Sequence, residues 1–453
     1  AGLLKSRGFQ VQGSDANPYP PMSTQLAALQ IPVMNGYSAA NLTSDIDYVI
    51  VGNVISASNP EAQELQRLNL PYGSLADAIG RWIIEDRSAI VVSGTHGKTT
   101  TTSLMTWIAE VAGKSPGYLV GGIPKNFPYS FRNPVGQGSS SLFVIEGDEY
   151  DTAYFDKVPK FIHYRPTHAI LTSVEFDHAD IYKDLDAVKS AFSRLMKLLP
   201  AQGTLTAHFD DQNVVELAKQ TSAEILSYGF KQGDYRCARI KVDADGTQFS
   251  ISKGGQLIGQ FSMKMSGDHN ILNATAAVVL AQKLGFSIAD IQKALSTFEG
   301  VKRRQEILGE PNGVLVIEDF AHHPTAVRET IRGIQQKYPG RKLFSVFEPR
   351  SATSRRKVFQ KDYVDAFVSS DNILIAQAFD QSKISEGDRF STDELVMDLK
   401  QSGKNASSFA DVSLIVDYLK KEAHTGDVVL LMSNGGFGGI YQKLLEALAA
   451  KTA

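Results

Sequence analysis

Cysteine, tryptophan and long apolar runs are scarce in this sequence of 453 residues, which has one cysteine and two tryptophans. A lone Cys237 excludes a disulfide within the chain, so we expect a buried thiol in a cytoplasmic protein. No stretch reaches the roughly 18 consecutive apolar residues of a membrane-spanning helix, so we expect no membrane insertion. The formal net charge of −3 gives no electrostatic reason to expect a nucleic-acid partner. The oligomeric state stays open.

The most informative feature is a glycine-rich stretch between a predicted strand and a predicted helix. Ala89–Val92 is typical of a buried strand, and a helical pattern follows the stretch. Backbone N–H groups and the helix dipole at such a turn hold polyphosphates. We therefore predict an ATP site formed by Gly94, Thr95, His96, Gly97, Lys98, Thr99 and Thr100. Lys98 would reach the β- and γ-phosphates, and Thr99 would ligate Mg²⁺.

A second predicted strand, Leu142–Ile145, delivers Glu146 at its carboxyl end. A carboxylate at that edge of a sheet is suited to hold Mg²⁺ beside bound phosphates, so we predict Glu146 as a metal ligand. The neighbouring Asp148 and Glu149 are equally well interpreted as a solvated acidic turn.

A third predicted strand, Ala169–Thr172, leads into a loop that carries Glu175, Asp177 and His178. Mg²⁺ prefers oxygen ligands, so the residues alone favour a structural role for His178.

Asn270 and Asn273 lie three residues apart at a predicted helix start, so their amides share one face. Paired amides suit the edge of adenine, whereas N-capping by Asp268 or Asn270 is an equally good interpretation.

Strand and helix patterns alternate over most of the chain, which predicts parallel sheets covered by helices. The length favours about three domains. We predict an α/β protein with a Rossmann-like N-terminal domain over 1–87, a central P-loop ATPase-type α/β domain over 88–299 and a C-terminal Rossmann-like α/β domain over 300–453. Within the central domain, the sequence pattern over residues 235–265 predicts a small antiparallel appendage. The glycine turn expected before Asp15 is absent, and the sequence opens at Ala1, so we expect the first strand to precede the printed sequence.

Three loops of the third segment follow predicted strands and should share one face of that domain. They carry Asp319 with His322, Arg350, and the glycine-rich stretch 433–439. The pair Arg303 and Arg304 would stabilise phosphoryl charge, or would form a solvated basic linker.

Together these motifs resemble the Mur ligase family, the ATP-dependent amide ligases of peptidoglycan assembly. The shared motifs occur in the family's order: Gly94–Thr100, Glu146, Glu175–His178, His269–Asn273, Arg304 and Asp319–Pro324. Several members carry a carbamylated lysine about where this chain has Phe192, and that departure matches the branch that acts on UDP-N-acetylmuramate itself. The resemblance implies a UDP-binding, an ATP-binding and a closing C-terminal domain.

The resemblance also implies roles for the predicted site residues. Lys98, Glu146, His178 and Arg304 would be catalytic, with Mg²⁺ held by Thr99, Glu146 and His178. Adenosine would be held by Asn270, Asn273 and Asp319. Candidate substrate contacts are Asp15, Gly121, Asn126, His322 and Arg350. Arg350 would bind carboxylates of the acceptor, or would pair with backbone at a strand end.

Within that branch, the resemblance implies joining of L-alanyl-γ-D-glutamyl-meso-diaminopimelate to UDP-N-acetylmuramate in peptidoglycan recycling. The alternative acceptor is L-alanine alone, in peptidoglycan biosynthesis. A folate-directed ligase shares the short phosphate loop, but Phe192 and the UDP-type first segment weigh against it. A regulatory ATP-binding module would lack metal ligands, and these are present.

Overall fold

The computed structural model describes residues 1–18 and 22–451. Its strands form one ten-stranded sheet, one six-stranded sheet and three two-stranded pairs, with helices packed against both large sheets. This is the three-part α/β architecture expected from the sequence. Among the helices described, none has the length and apolar character needed to cross a membrane. The boundaries at 87/88 and 299/300 stay predictions.

The N-terminal segment consists of short elements: α1 (Gly2–Lys5), β1 (Gly13–Asp15), α2 (Met22–Ala28), β2 (Val33–Asn35), β3 (Val49–Val51), α3 (Pro60–Leu68), β4 (Tyr72–Ser74) and α4 (Leu75–Ile79). β1 pairs with β2 and β3 with β4, both in parallel. β1 ends at Asp15 and is three residues long, and all three residues pair with β2. α1, at the start of the printed sequence, is four residues long.

The central segment contains β5 (Ser88–Ser93), α5 (Lys98–Val111), β6 (Gly117–Leu119), β7 (Phe131–Arg132), β8 (Leu142–Gly147), β9 (Asp151–Ala153), β10 (Asp156–Pro159), β11 (His168–Leu171), α6 (Leu185–Leu198), β12 (Thr204–His208), α7 (Gln212–Ala218), β13 (Glu224–Gly229), β14 (Tyr235–Asp243), β15 (Gly246–Lys253), β16 (Gln256–Met263), α8 (Asp268–Lys283) and α9 (Ile288–Thr297). β5 lies in the middle of the ten-stranded sheet, parallel to β11 on one side and β8 on the other. The loops that follow these three strands therefore meet at one edge.

The predicted antiparallel appendage is an extension of the main sheet. β14, β15 and β16 pair antiparallel, as expected, but β14 also pairs in parallel with the end of β13. Alternate residues of these strands, including Phe249, Ile251 and Phe261, are buried in the same core as α8. That shared apolar face explains why the three strands continue the sheet. Cys237 is buried here, and burial raises the pKa of its thiol to about 12.

The C-terminal segment contains β17 (Glu306–Gly309), β18 (Leu315–Asp319), α10 (Pro324–Lys337), β19 (Leu343–Phe347), α11 (Asp362–Ala366), β20 (Asn372–Ala376), α12 (Thr392–Gln401), β21 (Asn405–Phe409), α13 (Val412–Glu422), β22 (Val428–Met432) and α14 (Ile440–Ala449). The sheet order is β17, β18, β22, β19, β20, β21, and all pairs except β17–β18 are parallel. The loops after β18, β19 and β22 therefore share one edge, as predicted.

Candidate active site

The glycine-rich loop turns sharply between β5 and α5. Gly94 and Gly97 have φ of +131° and +82°, which side-chain-bearing residues rarely adopt. A Cβ on Gly97 would lie 2.4 Å from Asn273 Oδ1, so the close approach also requires glycine. In the described part of the chain, no side chain caps α5, which begins at Lys98. The first-turn N–H groups of α5 have no intrahelical partner, as at any helix start, and no capping side chain among the described residues takes their place, which suits an anion site.

The loop is held on one side by the segment after β11. Thr95 N donates to Ser173 O (2.9 Å), and His96 N donates to Ser173 Oγ (3.1 Å). Glu175 N donates to Thr95 Oγ1 at 2.9 Å. These contacts fix the first half of the loop and leave its second half, at the start of α5, to face a ligand.

Lys98, with a side chain 13% exposed, packs against a carboxylate that the sequence had left as a possible solvated turn. Its Nζ donates to Gly94 O at 2.7 Å and lies 3.2 Å from Glu149 Oε2. Glu149 is only 1% exposed. Burial alone would lower the pKa of Lys98, but the charges of Glu149, Asp148 and Glu146 outweigh it and raise the pKa. Lys98 is therefore a fixed cation beside the predicted phosphate site.

Glu146 joins the loop after β6 to the start of α5. Thr99 Oγ1 donates to Glu146 Oε2 at 3.0 Å, and Gly121 N donates to Glu146 Oε1 at 2.6 Å. Burial, followed by the charge of Asp148, raises the pKa of Glu146. A hydroxyl and a carboxylate in contact are a donor set that suits Mg²⁺, and a cation there would offset both effects.

His178 is the second group that Glu149 holds. His178 Nε2 lies 3.0 Å from Glu149 Oε1, and its ring lies against Tyr150 with centroids 4.1 Å apart. Burial opposes the imidazolium form, but the Glu149 hydrogen bond and the charge of Asp177 outweigh it and raise the pKa of His178. The structure thus brings together Lys98 and His178 through a residue that the sequence had not assigned to the site.

Asp177 links this loop to the C-terminal segment. Its Oδ1 accepts from Thr353 Oγ1 at 2.8 Å, and its Oδ2 lies 4.0 Å from His322 Nε2. Burial would raise the pKa of Asp177, but the neighbouring histidines His178 and His322 lower it well below its usual range. His322, a predicted substrate contact, therefore lies at the junction between the central and C-terminal segments.

Asn270 and Asn273 share a helix face, as their spacing predicted. Both are buried, and Asn273 Nδ2 donates to Asn270 Oδ1 at 3.4 Å. Asn270 Nδ2 donates to Ser266 O at 2.8 Å. The capping interpretation is wrong, because the N-cap of α8 is Gly267 and no side chain among the described residues caps it. The adenine contact stays a prediction.

The two adjacent arginines have different surroundings. Arg303 Nε donates to Glu318 Oε1 at 2.6 Å, and its NH2 group donates to the carbonyls of Ser433 and Gly435 at 2.8 and 2.6 Å. The Arg304 side chain has no hydrogen bond or ion pair to any described residue, and its guanidinium lies 4.8 Å from the centroid of the Phe320 ring. Burial lowers the pKa of Arg304 although Asp319 and Glu146 attract its charge. Arg304 is the arginine available to a ligand.

Asp319 ends β18 and Arg350 follows β19, two strands of the C-terminal sheet that are separated by β22. Asp319 accepts backbone N–H groups at both oxygens, from Ala321 and Gln305, each at 2.8 Å. The Arg350 guanidinium lies 3.7 Å from the centroid of the Phe379 ring and donates to Glu348 Oε1 at 3.3 Å. Within residues 1–18 and 22–451, Arg350 makes no hydrogen bond to backbone, so the backbone-pairing alternative has no support.

The remaining predicted contacts lie apart from these groups or are already engaged. Asp15 ends β1 and accepts from Asn17 N at 2.9 Å. Asn126 uses both ends of its amide: Nδ2 donates to Thr297 O at 2.9 Å, and Oδ1 accepts from Glu299 N at 2.8 Å. Asn126 thus ties its loop to the end of α9. The substrate roles of Asp15 and Asn126 stay predictions.

Phe192 is fully buried and packs against Phe161, with ring centroids 6.3 Å apart. The nearest lysine on the same helix, Lys189, pairs with Glu216 at 2.7 Å. α6 therefore presents an apolar side chain where the family resemblance places a carbamylated lysine in other members.

Comparison with known proteins identifies the family. Three family models match the chain: "Mur ligase family, catalytic domain" over 1–87, "Mur ligase middle domain" over 92–281 and "Mur ligase, glutamate ligase domain" over 303–435. The UDP-N-acetylmuramate–L-alanyl-γ-D-glutamyl-meso-2,6-diaminoheptandioate ligase of Escherichia coli (strain K12) is 38% identical, over 100% of this chain and 95% of that protein. The UDP-N-acetylmuramate–L-alanine ligase of Lachnoclostridium phytofermentans is 31% identical, over 98% of this chain and 94% of that protein.

A solved structure supports the same family assignment. The crystal structure of a murein peptide ligase from Psychrobacter arcticus 273-4 has a TM-score of 0.72 and 33% identity, covering 100% of this chain and 96% of that one. The chain belongs to the Mur ligase family, whose members are ATP-dependent ligases that form amide bonds.

Proposed function

We propose that this chain joins the tripeptide L-alanyl-γ-D-glutamyl-meso-diaminopimelate to UDP-N-acetylmuramate, with ATP hydrolysed to ADP and phosphate. The observation that carries the proposal is full-length identity of 38% to a relative named for that reaction, against 31% for the L-alanine ligase. The reaction belongs to peptidoglycan recycling, and the single cysteine is in keeping with a cytoplasmic enzyme.

In the first half-reaction, the lactyl carboxylate of UDP-N-acetylmuramate attacks the γ-phosphate of ATP and yields an acyl phosphate and ADP. Phosphoryl transfer depends on positioning and on neutralisation of charge. Lys98, at the start of α5, and Arg304, whose side chain has no hydrogen bond or ion pair to other described residues, are the cations suited to that task. The free N–H groups at the start of α5 would orient the phosphates.

Mg²⁺ would neutralise phosphate charge when bound. Thr99 and Glu146, in contact at 3.0 Å, have the oxygen donors that this ion prefers. His178 fits less directly, because its Nε2 is engaged by Glu149. We assign the first ion to Thr99 and Glu146, and a second to Glu146 and His178.

In the second half-reaction, the free amine of the tripeptide attacks the acyl carbon, and the tetrahedral intermediate expels phosphate. The tripeptide carries carboxylates away from its amine, so its subsite requires fixed cations. Arg350 lies after β19 at the edge shared with Asp319 and His322, which suits that subsite. Adenosine would lie against Asn270, Asn273 and Asp319, and the UDP group against Asp15, Gly121 and Asn126.

The assay that tests this proposal is ADP release with ATP, Mg²⁺ and UDP-N-acetylmuramate, in which the tripeptide is compared with L-alanine at matched concentrations. We expect turnover with the tripeptide and little with L-alanine. A preference for L-alanine would move the assignment to the biosynthetic reaction, which the relative from Lachnoclostridium phytofermentans supports as second candidate. Failure of both acceptors would contradict the substrate assignment while leaving ATP binding to be tested separately.

A further inference from the structure

Two histidines and one carboxylate from three separate parts of the chain converge beside the phosphate loop. His96 belongs to that loop, Glu175 to the segment after β11, and His323 precedes α10 in the C-terminal segment. His96 Nε2 lies 3.1 Å from Glu175 Oε2, and His323 Nδ1 lies 3.5 Å from the same oxygen. One donor atom from each residue lies within 4.8 Å of the other two. We propose that His96, Glu175 and His323 form a site for a transition-metal ion, with Zn²⁺ as the best fit.

The distances match the geometry of such an ion. Tetrahedral nitrogen and oxygen ligands at about 2.0–2.1 Å from Zn²⁺ lie about 3.3 Å from one another. The two measured separations from Glu175 Oε2, 3.1 and 3.5 Å, bracket that value. The imidazole rings of His96 and His323 have centroids 4.6 Å apart and planes tilted by 47°, so both rings are close enough to bring a nitrogen to one ion.

Hydrogen bonding fixes the tautomer that a metal needs. His323 Nε2 lies 3.1 Å from Phe176 O, and a carbonyl accepts only, so the ring proton is on Nε2. A bond from the second imidazole N–H to a carbonyl is the usual support of a metal-bound histidine. The single lone pair of His323 Nδ1 then accepts a 3.3 Å hydrogen bond from Thr325 N, and Nδ1 lies 3.5 Å from Glu175 Oε2, so a metal ion would take that lone pair in place of Thr325 N. Two acceptors facing each other repel, and a cation between them removes the repulsion.

The donor set separates this site from the Mg²⁺ site proposed above. Two imidazole nitrogens and one carboxylate oxygen select Zn²⁺ over Mg²⁺, which prefers oxygen ligands alone. Glu175 is a different carboxylate from Glu146. With three protein ligands, the fourth position stays open to water or to a ligand. A bound ion would tie the phosphate loop to the first turn of α10 and so hold the central and C-terminal segments together.

Zn²⁺ titration of the metal-free full chain, in competition with a chromophoric chelator and without nucleotide, tests the site. Glu175→Gln keeps the shape of the side chain and removes its charge, and we expect it to weaken binding at least tenfold. His323→Ala should do the same. Unchanged affinity and stoichiometry in both variants would overturn the proposal. Because no substrate is present, the outcome is independent of the ligase assignment.

Two control variants localise the ion. His424→Ala removes an exposed histidine and should bind Zn²⁺ as the unmodified chain does. His178→Ala removes the histidine of the proposed Mg²⁺ site and should also retain the ion, whereas loss of binding in this variant would overturn the proposal. Co²⁺ substitution adds a spectroscopic signature: intense tetrahedral d–d bands are expected in the unmodified chain and not in Glu175→Gln. If His323→Ala fails to fold, Glu175→Gln carries the test, and equal thermal unfolding of the metal-free proteins verifies its fold.

Discussion

Glu149 Oε1 and His178 Nε2 lie 3.0 Å apart, and the second oxygen of the same carboxylate lies 3.2 Å from Lys98 Nζ. A buried carboxylate that holds a lysine and a histidine is costly to lose, because its removal leaves the buried lysine charge uncompensated. Glu149 thus fixes the positions of a predicted phosphate-binding lysine and a predicted metal-binding histidine at once.

Glu149→Gln should therefore lower stability and alter His178 together. We expect the free energy of unfolding, measured by urea denaturation, to fall by about 3 kcal/mol, since the Lys98 charge loses its partner. The pKa of His178, measured by NMR, should fall because the carboxylate that raises it is gone. Glu216→Gln removes a carboxylate from an exposed pair with Lys189 and should leave the free energy of unfolding almost unchanged. Equal effects of the two substitutions would contradict the assigned role.

Substitution of the two adjacent arginines should have different effects, one on catalysis and the other on stability. Arg304→Ala should reduce kcat about 10³-fold, the scale of a transition-state arginine, with stability changed by less than about 0.5 kcal/mol. Arg303→Ala should lower the free energy of unfolding by about 2 kcal/mol, because it leaves buried Glu318 without its partner. Steady-state ADP release and urea denaturation measure the two effects. A large kcat loss confined to Arg303→Ala would reverse the assignment.

The site elements visible in the sequence are those encoded over a few neighbouring residues. The phosphate loop needs glycine where φ is positive, and apolar runs such as Leu142–Ile145 identify buried parallel strands. For this reason the sequence predicted the alternation of strands and helices and the edge where the loops meet.

Local sequence patterns could not predict contacts between distant parts of the chain. Nothing near Glu149 distinguishes a buried carboxylate from a solvated turn, because its burial depends on Lys98, 51 positions earlier. Likewise His96, Glu175 and His323 meet only after the C-terminal segment packs on the central one. The parallel pairing of β14 with β13 was missed for the same reason, since alternation predicts a strand but not its neighbour.

The Thr99 hydroxyl should set the Mg²⁺ requirement. Thr99→Ala removes an oxygen that contacts Glu146 at 3.0 Å, and we expect the half-saturating Mg²⁺ concentration for ADP release to rise roughly 10–100-fold. Thr99→Ser keeps the hydroxyl and serves as the matched control, with a Mg²⁺ requirement near that of the unmodified chain. A Mg²⁺ requirement unaffected by Thr99→Ala would remove Thr99 from the ligand set.

His168, which lies away from the candidate active site, should make the stability of the protein depend on pH. Burial, followed by the charge of Lys283, lowers its pKa, and its buried Nδ1 has no hydrogen-bond partner in the part of the chain described. Below about pH 6.5 the unfolded chain binds a proton at His168 that the native protein does not. Stability therefore falls on acidification, by at most about 1.4 kcal/mol per pH unit from this group.

Urea denaturation between pH 7.5 and 5, taken here as a range about the usual histidine pKa of ~6.5, measures this dependence. His168→Gln should make the profile less steep without abolishing the pH dependence, because burial also lowers the pKa of His208 and of His269. His424→Gln, at an exposed position, should reproduce the profile of the unmodified chain. Parallel profiles for His168→Gln and the unmodified chain would show that another group titrates.

Arg350 should determine the affinity for the acceptor. Its guanidinium is held over the Phe379 ring and against Glu348, so it is pre-positioned to meet a carboxylate. A charge-assisted hydrogen bond is worth about 1.5–3 kcal/mol, so Arg350→Ala should raise KM for the tripeptide roughly 10–100-fold. KM for ATP and for UDP-N-acetylmuramate should stay unchanged, which separates loss of an acceptor contact from general damage. Arg350→Lys keeps the charge but not the planar fork, so we expect it to recover only part of the affinity. An equal rise in all three KM values would instead assign Arg350 to the packing of the loop after β19.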